Sequence, residues 1–499
     1  MNSATGDFRL ATCGLALLVL LLPVGCRTSE PAFEPVQPDL FSAPGAQPNA
    51  WADYDNDGDL DLFVGFRGAP DRLYRNDQGI FVDVAPEVGL ANVEETRVAS
   101  WGDFDQDGRL DLYIGFPADA GTPNRLFRNE GDSVRFTDVA ADLGVALVGT
   151  TRQTSWVDYD NDGDLDLFVA MRDQVNRLFR NDGGSFTDVT EAVGIGDSRR
   201  TVGVAWFDMD MDGDLDAFVA NQNGDRDGFY RNDAGRFVDV ARELGMDSPD
   251  RTEEIGGVGP AVADYDNDGD LDLFVANYGP DALWRNEGNG RFTEVAVGTI
   301  LGEDFHSTTA SWGDFDNDGW LDLYVASYLG DDPEAPDHLY RNATGRFELV
   351  TPAAFLAKGA SHGVQWADFD ADGDLDLALA NNSLEGAHLL YRNMLPPADA
   401  GRSVQVLVLD SAGMHSLAGA EVRVYAAGTR RLLGTRLVDT GGGYCSQNVM
   451  PVHVGLPRGV DRVDVEVTVL GRDGRRVTRA EDVDPDRLPR RVLIVRASR

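Results

Sequence analysis

From residue 33 to residue 393 short apolar runs such as Leu60-Asp61-Leu62-Phe63-Val64 alternate with turn-forming clusters in one repeating order. Each run is followed by Arg-Asn, as in Arg75-Asn76 or Arg180-Asn181, then by a Gly turn, then by Phe with Val shortly after, as in Phe81-Val82-Asp83-Val84. Runs of this length bounded by Gly, Asn and Asp read as β-strands, and four strands per unit make one blade. Ahead of every apolar run stands Asp-x-Asp-x-Asp-Gly-x-x-Asp. It begins at Asp53, Asp103, Asp158, Asp208, Asp264, Asp314 and Asp368, at intervals of 50, 55, 50, 56, 50 and 54 residues. An aromatic lies two residues before six of these copies (Trp51, Trp101, Trp156, Trp206, Trp312 and Trp366), and Val262 before the other. Seven such units predict a seven-bladed β-propeller.

Closure of the ring has its own signal. After Arg392-Asn393 comes Met394-Leu395-Pro396-Pro397, with no Phe-bearing strand, whereas an orphan copy of that strand stands first, at Phe33-Glu34-Pro35-Val36. Phe33 precedes Asp53 by 20 residues, close to the 21–27 that separate Phe from the next first Asp in later units. The N-terminal strand is therefore expected to complete the seventh blade and leave no open sheet edge.

Within each Asp-rich loop alternate side chains converge, and hard carboxylate oxygens suit calcium. The candidate ligands occupy positions 1, 3, 5, 7 and 9. They are Asp53, Asp55, Asp57, Asp59 and Asp61; Asp103, Asp105, Asp107, Arg109 and Asp111; Asp158, Asp160, Asp162, Asp164 and Asp166; Asp208, Asp210, Asp212, Asp214 and Asp216; Asp264, Asp266, Asp268, Asp270 and Asp272; Asp314, Asp316, Asp318, Trp320 and Asp322; and Asp368, Asp370, Asp372, Asp374 and Asp376. Arg109 and Trp320 carry no side-chain oxygen, so position 7 would act through its backbone carbonyl. An EF-hand is excluded, because position 12 of the first copy is Val64 and strand-like sequence follows. Polar turns without an ion would leave four carboxylates repelling one another. About seven calcium ions are expected, one per blade.

Calcium changes the reading of the charge. The formal net charge is −42, with Lys358 the single lysine, but seven divalent ions would reduce it to about −28. Such a surface is unsuited to nucleic acid phosphates. Residues 1–26 differ from the rest: a polar start to Arg9, an apolar stretch from Leu10 to Gly25, then Cys26. This reads as a signal peptide, and Leu22-Pro23-Val24-Gly25-Cys26 resembles a bacterial lipobox that would place a lipid on Cys26. A plain cleaved signal and an uncleaved anchor are the alternatives. Cys445 is then the only other cysteine of the mature chain, so no intramolecular disulfide can hold it together.

The full division expected is 1–26 signal peptide and lipobox, 27–32 tether, 33–395 propeller, 396–401 linker, and 402–499 a small β-sandwich. Alternating segments such as Glu421-Val422-Arg423-Val424-Tyr425 and Val463-Asp464-Val465-Glu466-Val467 support the last. That region holds 16 Arg against 11 acids, which favours docking onto the acidic ring. Its glycines Gly441-Gly442-Gly443 and its His453 read as a turn and a packed side chain.

The units, on residues such as Asp53-Tyr54-Asp55-Asn56-Asp57-Gly58-Asp59-Leu60-Asp61, resemble the FG-GAP or VCBS repeats of integrin α-subunit propellers. The C-terminal region, with Gly419-Ala420-Glu421-Val422, Gly441 to Gln447 and His453-Val454-Gly455-Leu456, resembles the ASPIC/UnbV domain. Together they resemble the cartilage acidic protein family and its bacterial relatives, which implies extracellular calcium binding and no established reaction. By the integrin resemblance the metal loops lie on the lower face and the length-variable connections on the upper face, where recognition is expected. Candidate contacts there are Arg97, Arg152, Arg200, His306 and His362. The principal functional reading is an exported, surface-anchored adhesion or ligand-binding module with a protein or glycan partner. A glycan-active hydrolase or lyase and an envelope scaffold are the alternatives, although no HExxH or GxSxG motif is present.

Overall fold

The four strands of each of blades 1 to 6 form an antiparallel sheet laid out in chain order. In blade 3 the strands Thr151–Val157, Asp166–Met171, Arg177–Asn181 and Phe186–Asp188 neighbour one another in that sequence. The computed structural model describes residues 31–499 apart from 119–120, 132–134, 250, 296–305, 329–335, 356–359, 385, 440, 442 and 448–449. The leader and Cys26 lie outside the described residues. The first strands of adjacent blades, from Ala46–Ala52 to Ser361–Ala367, neighbour each other all the way round, so they line the channel. Phe33–Pro35 pairs antiparallel with Leu389–Asn393, with Phe33 opposite Asn393, and supplies the fourth strand of blade 7 as the orphan repeat predicts. A single helical turn follows the fourth strand in blades 1 to 4, ending at the left-handed Gly89, Gly144, Gly194 and Gly245.

With no disulfide among the described residues, two repeated contacts join the blades. The Trp of one blade stacks on the aromatic at loop position 2 of the preceding blade. Examples are Trp101 on Tyr54, Trp156 on Phe104 and Trp366 on Phe315, with Trp51 on Phe369 across the closure. The Asn of each Arg-Asn donates from Nδ2 to two backbone carbonyls, one in its own blade and one in the preceding blade. Asn181 reaches Leu165 O at 3.1 Å and Phe104 O at 2.8 Å. Asn76 makes the same bridge to Leu60 O and Phe369 O across the closure. Both partners are buried carbonyls that would otherwise go unsatisfied.

The C-terminal region forms a three-stranded sheet (Val452–Gly455, Ser403–Asp410, Val492–Ala497) and a four-stranded sheet (Leu432–Leu437, Glu421–Ala426, Val463–Val469, Arg476–Val483). Alternate valines of both, including Val404, Val406, Val422, Val424, Val465 and Val467, share one core, which makes a β-sandwich.

This sandwich sits on the metal-loop face of the ring. Arg490 pairs with Asp59 at 2.8 Å in blade 1, and Arg475 with Asp208 at 2.6 Å in blade 4. Arg499 pairs with Asp158 in blade 3. Gln405 bonds Asp368 at 2.6 Å, and the buried His453 lies 3.2 Å from Gly373 O in blade 7. Among the described residues no helix is long and apolar enough to cross a membrane.

Candidate metal loops and the open mouth of the channel

Each Asp-rich loop is folded by its own carboxylates. In blade 1 the two oxygens of Asp53 accept the N–H groups of Asp57 (3.0 Å) and Gly58 (2.9 Å), and Asp57 Oδ1 accepts that of Asp59 at 2.8 Å. Asp61 is anchored from both sides, by Tyr54 N at 3.3 Å and Asn76 N at 2.8 Å. The turn takes position 4 into the left-handed region (Asn56, φ 59°) and position 6 to a φ of 91° at Gly58, which only glycine adopts readily.

The arrangement fits a divalent cation. Ligand oxygens of Asp53, Asp55 and Asp57 lie within 4.8 Å of one another, as do those of Asp103, Asp105 and Asp111, and the equivalents at positions 1, 3 and 9 in blades 3, 4 and 5. Every loop also holds a buried carboxylate oxygen with no hydrogen-bond partner. It is Oδ1 of position 3 in Asp55, Asp105, Asp160, Asp316 and Asp370, and Oδ1 of position 1 in Asp208 and Asp264. Burial, aided by the neighbouring carboxylates, pushes Asp61, Asp111 and Asp272 up to about 9. A bound cation reverses that pressure by neutralising the cluster. At position 7 the side chains of Asp59, Asp164 and Asp214 are taken by Arg490, Gln106 and Asn161. In those blades that leaves position 7 its backbone carbonyl, as Arg109 and Trp320 require in theirs, whereas Asp374 of blade 7 keeps both carboxylate oxygens buried without a hydrogen-bond partner.

The loops are also linked to each other. The position-4 amide donates to the position-6 carbonyl of the next blade: Asn56 to Gly108, Gln106 to Gly163, Asn161 to Gly213, Asn267 to Gly319 and Asn317 to Gly373, all at 2.9–3.1 Å. Two links are missing because position 4 is Met211 in blade 4 and Ala371 in blade 7. At both gaps the C-terminal domain supplies the donor, Arg423 to Gly269 O at 2.8 Å and Arg490 to Gly58 O.

The channel itself is plugged from the same side. The segment around Gly441, Gly443, Tyr444, Cys445, Ser446 and Gln447 enters it. Gly443 N donates to Val204 O at 2.9 Å, and Gly441 O accepts from Ser155 Oγ at 3.0 Å. Gln447 bonds both the N–H and the carbonyl of Trp101, and Ser446-Gln447 pairs parallel with Asn49-Ala50. Cys445 is fully buried, packed with Val202, Val258 and Tyr444.

Tyr444 reaches the opposite mouth, where a cavity of about 300 Å³ opens. Of the sequence candidates, Arg97, Arg152 and His362 line it. Arg200 pairs instead with Asp225 at 2.9 Å, and His306 packs edge-on against Tyr278; neither is part of the lining. The repeat itself distinguishes them. Arg97, Arg152 and His362 stand six residues before the first loop Asp, Arg200 and His306 eight before. The six-before column also holds Gln47, Val202, Val258 and Thr308, a ring around the plug. A second column, fourteen after the first Asp, contains Arg67, Arg172, Gln222, Tyr278, Tyr328 and Asn382, which also line the cavity. Sequence reasoning missed that column because it drew its candidate contacts only from the connection ahead of each loop. Burial and the nearby Arg97 and Arg152 push His362 down to about 3, so its ring is neutral.

The architecture is thus that of an acidic-loop β-propeller capped by a β-sandwich. Residues 53–114, 158–219, 208–275, 264–325 and 326–379 match the FG-GAP-like repeat, more than half of the chain, and the protein belongs to that family. Residues 411–493 match the ASPIC and UnbV family. The chain is 27% identical over 286 residues to cartilage acidic protein 1 of Mus musculus, covering 52% of this chain and 40% of that protein. It is 26% identical over 285 residues to the Homo sapiens protein, covering 52% and 39%. The matched region therefore spans about two fifths of those relatives. A solved structure of BBS1N in complex with ARL6DN covers 74% of this chain and 97% of that one, at 12% identity and a TM-score of 0.46.

Proposed function

We propose that this protein is a calcium-braced ligand-binding module, with a structural calcium ion in each of its seven loops and recognition on the face away from them. The observation that carries the calcium reading is the buried, unpartnered carboxylate oxygen found in every loop. Hard, anionic, closely grouped oxygens are what calcium replaces water with. Recognition is assigned to the opposite face because the C-terminal sandwich and its plug cover the metal-loop side and leave the other mouth open. Following the sequence reading of the leader, the module is exported and held at the cell surface through Cys26. Metal analysis of the purified protein after dialysis against micromolar calcium tests the central claim. About seven calcium ions per chain are expected; a folded chain that retains none refutes it.

A further inference from the structure

The open cavity is unusual in its charge. In a chain of net charge −42, it gathers Arg67, Arg97, Arg152 and Arg172 from blades 1, 2 and 3, Arg67 lying 3.8 Å from Glu95. Arg97 has Glu95 at 3.4 Å, but no carboxylate of the described residues pairs with Arg152 or Arg172. Arg152 Nη1 donates to Tyr444 Oη at 3.1 Å, and Arg172 is steered by Gln222 Oε1 and Asn223 Oδ1, both at 2.5 Å. The Nε atoms of Arg97 and Arg152 are buried without a partner. Burial first, and then Arg152, push Arg172 below its ordinary range. Like charges held together out of water need a counter-ion, and guanidinium forks match oxyanions in a bidentate way.

The rest of the lining is not that of a bare phosphate site. Tyr278, Tyr328 and Tyr444 bring aromatic surface and hydroxyls, and Gln222, Asn223 and Asn382 bring amides suited to a hydroxyl-rich ring. Glu253 and Glu254 stand exposed on the blade 4–5 side, so an anion is directed inward to the arginines. The volume is at the small end of ligand pockets, roughly 300–1,000 Å³, enough for one sugar residue. We propose that the cavity binds the acidic terminal sugar of a glycan, its carboxylate held by Arg152 and Arg172 and its ring against the tyrosines. This rests on the reading that the open face is the recognition face.

The test is calorimetric titration of the calcium-loaded full chain with D-glucuronate and glucuronate-terminated oligosaccharides, with glucose, inorganic phosphate and an acidic peptide for comparison. Binding of the acidic sugars but not glucose is expected, with affinity reduced at least tenfold by Arg152→Met or Arg172→Met and several-fold by Tyr444→Phe. Arg172→Lys, which keeps the charge but not the fork, should lose affinity too. Calcium content and melting temperature should stay at parental values in each variant, which separates a lost contact from a lost fold. Phosphate or peptide binding that depends on Arg152 while every acidic sugar is rejected overturns the sugar assignment and leaves the face standing. Sugar binding untouched by all these substitutions overturns both.

Discussion

Replacing Asn181 with alanine removes three hydrogen bonds at one buried point. Nδ2 loses Phe104 O (2.8 Å) and Leu165 O (3.1 Å), and Oδ1 loses the N–H of Gly184 (2.7 Å). Each bond contributes about 1 kcal/mol net, and a buried partner left unmade costs about 1–3 kcal/mol. Gly184 is half-exposed and can turn to water, whereas the two carbonyls belong to buried residues. The expected loss is therefore about 3–5 kcal/mol, a large part of the roughly 5–15 kcal/mol that holds a typical domain folded. Urea unfolding in saturating calcium, followed by tryptophan fluorescence, measures it, and the midpoint should fall markedly. Asn181→Asp keeps an acceptor for Gly184 but sets a carboxylate against two carbonyls, so it should be at least as damaging. The neighbouring Arg180, whose pair with Asp182 is exposed, supplies the control: Arg180→Ala should change stability by less than about 1 kcal/mol. A midpoint for Asn181→Ala within error of the parent, at equal calcium content, would refute the idea that these asparagines join the blades.

Exhaustive chelation should lower the melting temperature substantially, because ions that bind only the folded chain stabilise it by mass action; an unchanged melt after verified metal loss contradicts this. Asp55→Ala with Asp57→Ala should destabilise the first blade and reduce bound calcium by about one ion, read by metal analysis. Arg490→Ala should cost about 1 kcal/mol and be largely rescued by Ala371→Asn, which restores the missing link to Gly58 O; a double-mutant cycle without coupling argues against the linked ring. Burial pushes the Cys445 thiol up to about 11, so it should resist alkylation at pH 8 until the protein unfolds, and rapid labelling of the native protein would mean that the plug leaves the channel. Cys26→Ser should release the protein from membranes or block its processing; a mutant still membrane-bound at the parental processed mass would disprove the lipobox reading.

The ring was legible because a propeller writes its architecture into period and closure. Seven Asp loops count the blades, and the orphan Phe33 strand predicts the pairing with Leu389–Asn393. The Arg-Asn pair was visible as a marker, but not its purpose, since Asn181 bonds backbone carbonyls that have no sequence signature, one of them in another blade. At the open mouth the variable connections pointed to the end of the channel that the sandwich leaves uncovered. They could not separate Arg152 from Arg200, because facing the channel depends on position within the repeat, six residues before the first loop Asp for one and eight for the other, and both blades carry the same register shift at the start of that strand. Arg172 and Tyr444 were missed for different reasons: one lies after its strand, the other in a different domain.

The +5 balance of residues 402–499 suggested docking on an acidic ring, and charge alone would have allowed many orientations. What fixes this one is complementarity at two positions. The loop ring lacks its polar side chain only at Met211 and Ala371, and the sandwich places Arg423 and Arg490 on the two carbonyls those residues leave unmet. Neither gap nor filler is informative by itself: an alanine in a loop and an arginine in a basic domain are ordinary residues. Their coincidence means that the propeller's loop face is complete only with the sandwich seated, and the same sandwich carries the Tyr444 that floors the cavity on the far side. Loops, plug and cavity floor therefore meet in one domain: the sandwich that sets Arg423 and Arg490 on the loop ring also supplies the tyrosine against which Arg152 is held.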